Sequence, residues 1–191
     1  MEKKINQLKS PLIKIVLFGP ESTGKSTLSN ALAKHYKSVC VPEYARDFLQ
    51  SKWDMYRKTC EKKDLWAIAK GQEKLENEIS KKANRVLFCD TNLLQTKVYS
   101  EIYYAGYCDP RIEKSAIENY YDLYFLCDVD IPWVPDDLRD KPDDRKFVFK
   151  AFENELKKQN CKYVVIKGDF QQRFNSSVSH VDTLLGNLIK V

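Results

Sequence analysis

Gly19-Pro20-Glu21-Ser22-Thr23-Gly24-Lys25-Ser26-Thr27 follows the apolar run Ile13–Phe18 and leads into a segment with helical spacing. A triphosphate needs many hydrogen-bond donors around it with no side chains in the way. A glycine-bounded loop that opens a helix supplies them as backbone N–H groups, aided by the helix dipole. Gly19 and Gly24 permit the wrap, and Glu21, Ser22, Thr23 and Thr27 complete the cradle. In this spacing Lys25 reaches the β- and γ-phosphates, and the Ser26 hydroxyl holds Mg²⁺. With a strand before it and an amphipathic helix after it, the motif reads as the P-loop of an α/β NTPase that binds ATP and Mg²⁺.

Moving outward, further apolar runs rich in β-branched and aromatic residues lie at 39–41, 85–89, 121–127 and 163–166. Helical patterns separate them: 25–36; 64–82, where Leu65, Ile68, Ala69, Gln72, Leu75 and Ile79 share a face; a helix through Leu94, Val98 and Ile102; 146–159; and a closing helix through Val181, Leu184, Leu185 and Leu188. Strands alternating with helices predict a five-stranded parallel sheet covered on both faces. At 191 residues and 43% hydrophobic content the chain suits one sizeable core, so residues 1–191 are expected to form a single domain, with 1–11 a flexible N-terminal extension.

Composition narrows the function classes. The six cysteines form no Cys-x-x-Cys pair, and only His35 and His180 accompany them, which gives no zinc pattern and fits reduced thiols. No apolar run reaches the length of a membrane span or a signal-peptide core, so a cytoplasmic protein without membrane insertion is expected. A net charge of +5 spread along the chain suits a phosphate-bearing small ligand. It forms no basic stripe with interleaved aromatics, and nucleic acid is not an expected partner.

Carboxylates at predicted strand ends suggest the chemistry, because open α/β sheets bind ligands at the carboxyl edge. Asp90 closes the third run and suits Mg²⁺, directly or through bound water; the same residue also suits capping of the helix that starts near Asn92. Glu43, in Pro42-Glu43-Tyr44-Ala45-Arg46-Asp47 after the second run, is placed to accept the proton of an attacking hydroxyl. Arg46, one turn on, suits pairing with Glu43 or with the acceptor. Which of Glu43, Asp47 and Asp90 is the base stays open. Residues 130–146 carry Pro132, Pro135 and Pro142 among dense charges of both signs and read as a mobile surface loop. Arg139, Arg145 and Lys146 within it suit a basic lid that neutralises phosphoryl charge. Gly168-Asp169-Phe170 after the fifth run suits the floor of an adenine pocket.

Taken together, Gly-Pro-Glu-Ser-Thr-Gly-Lys-Ser (19–26), Pro-Glu-Tyr-Ala-Arg (42–46), Lys-Gly-Gln (70–72), Phe-Cys-Asp-Thr-Asn (88–92), and Asp-Ile-Pro-Trp followed by Asp-Asp-Leu-Arg (130–133, 136–139) resemble the ribosylnicotinamide kinase domain of bacterial NadR-type proteins. The resemblance covers about residues 13–174. It implies a nucleoside-monophosphate-kinase-like fold with a lid loop. It also implies ATP- and Mg²⁺-dependent phosphorylation of the 5′-hydroxyl of nicotinamide riboside, giving nicotinamide mononucleotide in NAD salvage. On the matching positions Lys25 and Ser26 handle phosphate and metal, Glu43 and Asp90 flank the acceptor hydroxyl, and Arg139 serves the lid. Some relatives carry an aromatic residue that stacks on the nicotinamide ring where this chain has Pro42; Tyr44, Trp66, Tyr103 and Trp133 are candidates to stack instead. Bifunctional relatives have an adenylyltransferase domain ahead of this one, and none is expected here.

Two other readings compete with this one. A kinase for another nucleoside or vitamin alcohol would keep the ATP site and change the acceptor, whereas a non-catalytic ATP-binding regulator would show no acceptor-dependent turnover.

Overall fold

The protein is described from a computed structural model covering residues 6–139 and 143–188. Five strands, β1 (Ile13–Phe18), β2 (Val39–Val41), β3 (Val86–Asp90), β4 (Leu123–Cys127) and β5 (Tyr163–Ile166), form one sheet in the order β2-β3-β1-β4-β5, every neighbouring pair parallel. Seven helices accompany them among the described residues: α1 (Lys25–His35), α2 (Tyr44–Tyr56), α3 (Lys62–Ser80), α4 (Leu93–Tyr103), α5 (Pro110–Glu118), α6 (Arg145–Lys158) and α7 (Phe170–Leu188).

The expected two-sided cover is what the core contains. Val16, Phe18, Leu87, Cys89, Tyr124 and Leu126 point to the face packed by α3, α4, α5 and α6. Ile15, Leu17, Phe88, Phe125 and Cys127 point to the opposite face, under α1 and α7. Because both faces are buried, β1, β3 and β4 read as near-continuous apolar runs. All six cysteines are free thiols, and Cys89 and Cys127 lie buried in this core. Among the described residues no helix is long and apolar enough to cross a membrane.

Three elements depart from the sequence expectation. The Glu43–Arg46 stretch runs on into a full helix, α2, none of whose residues is fully buried, so no sharp apolar stripe marks it. The short helix α5 was not expected: it buries little beyond Ile112 and Ala116 and is defined instead by the Asp109 cap and Pro110 at its start. The closing helix begins at Phe170, eleven residues before Val181. Its first turns bury Arg173 and Ser177, polar residues that break the apolar spacing. The Leu188 side chain lies outside the described residues.

Lys14 is the one charged residue of β1, and the sheet buries it. Its Nζ pairs with Glu76 of α3 at 3.1 Å, and Tyr121 donates to the same carboxylate at 2.7 Å. The N-terminal segment closes over this pair. Gln7 donates to Glu76, the Leu8 N–H donates to Asn77, and Asn77 donates to the Asn6 carbonyl. Residues 6–8 are thus held on α3; of the flexible extension expected over 1–11, residues 1–5 lie outside those described.

Nearby Glu73 is buried with Asn119 donating to one of its oxygens at 2.8 Å and no partner for the other. Burial pushes its pKa up from 4.5 to about 7, with Glu76 adding and Asn119 and Lys14 opposing. A carboxyl whose pKa is raised by folding stabilises the fold below its unfolded pKa, and that contribution is lost as pH rises through about 7. Glu73→Gln keeps the acceptor oxygen for Asn119 and removes the titration. It should therefore be about 3 kcal/mol more stable than the wild type at pH 8 and equal to it near pH 4, as read by urea denaturation. Equal stability at both pH values would refute this account of Glu73.

Candidate active site

The end of β1 turns directly into the phosphate loop. Gly19 sits at φ +128°, and a Cβ there would lie 2.9 Å from the Cys127 carbonyl oxygen, so only glycine lets the loop leave against β4. Gly24 occupies the position before α1 in the left-handed region. Lys25 opens the helix 8% exposed and folds back, its Nζ donating to the Gly19 carbonyl at 2.9 Å and to the Pro20 carbonyl at 2.6 Å. The Thr23 hydroxyl donates to Pro20 O at 2.8 Å.

Two arginines brace the loop from behind. Arg173 of α7, 4% exposed, donates to Thr23 O, Gly168 O and Asp128 O and pairs with Asp130. It thereby ties the phosphate loop to the ends of β4 and β5, and sequence reading missed it because an isolated arginine in a polar stretch carries no signal. Arg145, expected in a lid, instead donates to Ile131 O at 2.9 Å and Ser22 O at 3.0 Å, with its guanidinium 5.8 Å from the Trp133 ring centroid.

A cleft of about 620 Å³ opens beside this loop at the carboxyl edge of the sheet. Glu21, Ser22, Thr23, Gly24, Lys25, Ser26, Thr27, Glu43, Arg46, Asp47, Asp90 and Arg139 line it together. The far wall is apolar and aromatic: Leu65 and Ile68 from α3, and Tyr99, Tyr103 and Tyr104 from α4 and its end. Among the proposed stacking residues only Tyr103 borders the cleft. Trp66 lies under the Arg111 guanidinium at 4.2 Å, Trp133 sits beside Arg145, and Tyr44 packs on Gly71, facing a separate outer groove between α2 and α3. Tyr99 and Tyr104, the further aromatics of the wall, read in sequence only as parts of a helix.

Gly168 and Asp169 also stand apart from the cleft. The Gly168 N–H donates to Asp130, and Asp169 caps α7 by accepting from the Gln172 N–H at 2.8 Å. Arg46 does not take Glu43 as its ion-pair partner; its guanidinium pairs with Asp136, which Arg139 also contacts at 3.1 Å. The segment after β4 is thereby latched to α2 on one side and to Ser22 on the other, where the Val134 N–H donates to Ser22 Oγ at 2.9 Å. Lys146 is exposed away from the cleft, and lid residues 140–142 lie outside those described.

Asp90 is the last residue of β3, 4% exposed, with Oδ1 buried and without a partner. Asn92, not Asp90, caps α4, accepting from the Gln95 N–H. Burial pushes the Asp90 pKa up, while Lys25 and a hydrogen bond with Ser26 pull it down. Glu43 stands at the cap position of α2, yet its side chain makes no capping bond. Burial raises its pKa, opposed by Lys25 and reinforced by Asp90. A hydroxyl and a carboxylate oxygen side by side at the loop form the hard-oxygen donor set that suits Mg²⁺, and the unpartnered Asp90 oxygen leaves that set available.

The sheet order, the loop between β1 and α1, and the carboxylates at the ends of β2 and β3 define a P-loop NTPase of the doubly wound α/β type. A family model described as an AAA domain, AAA_28, matches residues 14–173, and the chain belongs to that family. It is 31% identical over 175 residues to the trifunctional NAD biosynthesis/regulator protein NadR of Salmonella typhimurium, covering 90% of this chain but 42% of that protein. The chain thus spans less than half the length of that curated relative. In fold it matches a crystal structure of NadR protein in complex with NR (nicotinamide riboside), with TM-score 0.72, 19% identity, and 90% of this chain and 50% of that chain covered. It also matches a thymidylate kinase from Ehrlichia chaffeensis, with TM-score 0.65, 18% identity, and 91% and 100% covered.

Proposed function

We propose that this protein is an ATP-dependent kinase that transfers the γ-phosphoryl group to the 5′-hydroxyl of nicotinamide riboside, giving nicotinamide mononucleotide. The observation that carries this reading is the division of the cleft: phosphate-binding groups with the Glu43 and Asp90 carboxylates on one side, an apolar and aromatic wall on the other. Such a wall suits a flat heterocycle, and the adjacent carboxylates suit the hydroxyl of the attached ribose and the positive charge of the ring. Likeness to NadR supports the choice of acceptor.

In this reading the loop N–H groups bind the triphosphate, and Lys25 exchanges its carbonyl partners for phosphate oxygens. Ser26 and Asp90 are the residues that would hold Mg²⁺, which when bound offsets charge on the β- and γ-phosphates. Glu43 accepts the proton of the acceptor hydroxyl as its oxygen bonds to the γ-phosphorus and the bond to ADP breaks. Arg139 neutralises charge on the phosphoryl group in transit. Arg46, through Asp136, holds the segment that carries Arg139.

The test is mass spectrometry of purified protein with Mg-ATP against nicotinamide riboside, common nucleosides and thiamine, scored for the gain of one phosphate. Phosphorylation of nicotinamide riboside is the expected result. Transfer only to another nucleoside or to thiamine replaces the acceptor and keeps the kinase. ATP binding with no product from any acceptor overturns the kinase reading in favour of a regulator.

A further inference from the structure

We infer that Gln72 is a positioning residue that fixes the Glu43 carboxylate for proton transfer, gripping the backbone on both sides of it from α3; this rests on the role of Glu43 proposed above. Gln72 is 2% exposed, beside Leu65, Ile68 and Ala69 on the buried face of α3. A buried amide in that company is costly unless both of its ends are bonded. Both are. Its Oε1 accepts from the Tyr44 N–H at 2.8 Å, and its Nε2 donates to the Pro42 carbonyl at 3.2 Å. The residue between those two partners is Glu43.

Glu43 has no comparable support of its own. It sits at φ −73° and ψ 102° at the head of α2, with no side-chain capping bond and no intrahelical partner for the first N–H groups that follow. Gln72 takes the first of those donors and the carbonyl on the other side, so the short backbone span bearing the carboxylate is pinned to a rigid helix. Gly71 makes the grip closer. A Cβ at Gly71 would lie 2.0 Å from Cε1 of Tyr44, so the tyrosine ring rests directly on the α3 backbone one residue before the amide. The Lys-Gly-Gln stretch at 70–72 therefore has a physical reading. Glycine admits the Tyr44 ring, glutamine holds the peptide groups around Glu43, and the carboxylate borders the cleft that both Glu43 and Gln72 line.

A residue that merely stabilised the start of α2 would alter folding without acting through Glu43, and the experiment separates the two. Steady-state kinetics with Mg-ATP and nicotinamide riboside are measured for the wild type, Gln72→Met, Glu43→Gln and the double variant. Methionine keeps the side-chain length and loses both hydrogen bonds. Gln72→Met is expected to lower kcat about 10- to 100-fold, as misplacement of a reacting group does, with KM for ATP changed by less than about threefold. In the Glu43→Gln background the same change should cost less than about threefold, since there is no base left to position. Gly71→Ala should act in the same direction as Gln72→Met. Full kcat in Gln72→Met beside a slow Glu43→Gln, or losses that multiply in the double variant, overturns the positioning role alone. Full rate in Glu43→Gln, or no transfer by the wild type, overturns the underlying reading and this inference with it. Should Gln72→Met fail to fold, Gln72→Glu takes its place, because it keeps the acceptor for Tyr44 N–H and loses the donor to Pro42.

Discussion

Lys25→Ala should lower kcat/KM for phosphoryl transfer by about 10³-fold or more, whatever the acceptor. In the phosphoryl-transfer transition state, charge is spread over the three equatorial oxygens of the group in flight. Removing one preorganised neutral donor from such a site costs about 10²- to 10³-fold, and Lys25 brings a full positive charge as well. Its position supports a loss of this size: the ammonium is buried against the loop, and its bonds to the Gly19 and Pro20 carbonyls orient it toward the cleft. Calorimetric titration with Mg-ATP should show weakened nucleotide binding. Retention of more than about a tenth of the wild-type kcat/KM in Lys25→Ala would mean that the loop does not handle the transferred phosphate.

Glu43→Gln should lower kcat about 10²- to 10⁴-fold while leaving ATP affinity within a few-fold, the pattern of a lost general base rather than a lost binding group. Glutamine has nearly the same shape and forms no carboxylate, so it can accept a hydrogen bond but not the proton. Three carboxylates were candidates in the sequence, and all three line the cleft. Asp90 shares its site with Ser26 and suits the metal, and Asp47 lies on the exposed outer part of α2. Glu43 is left with a free carboxylate, burial that raises its proton affinity, and Lys25 close enough to oppose that rise. The kinetic comparison is Glu43→Gln, Asp47→Asn and Asp90→Asn side by side. A full-rate Glu43→Gln beside a crippled Asp47→Asn would move the base to Asp47.

The interpretation of the cleft also depends on which aromatics face it. From the resemblance a stacking aromatic is expected where this chain has Pro42, and the sequence offered Tyr44, Trp66, Tyr103 and Trp133 in its stead. Of these Tyr103 alone borders the cleft, joined by Tyr99 and Tyr104. Tyr44 carries the same amphipathic side chain, but its ring covers Gly71 on the outside of the molecule. Local sequence cannot tell these cases apart, because the side of α2 and α4 that meets the cleft is set by how those helices pack on α3.

What the sequence determined was whatever a local rule governs. The Gly-x-x-x-x-Gly-Lys-Ser spacing fixed the phosphate loop, continuous apolar runs fixed a sheet buried on both faces, and a carboxylate directly after an apolar run placed Glu43 and Asp90 at the carboxyl edge. Tertiary structure alone decided what depends on partners distant in the chain. It turned Arg145 and Arg173 into braces of the phosphate loop, gave Arg46 to Asp136, and set the Gln72 amide around Glu43. These contacts join residues 28 to 150 positions apart, where no periodicity of the sequence can indicate them.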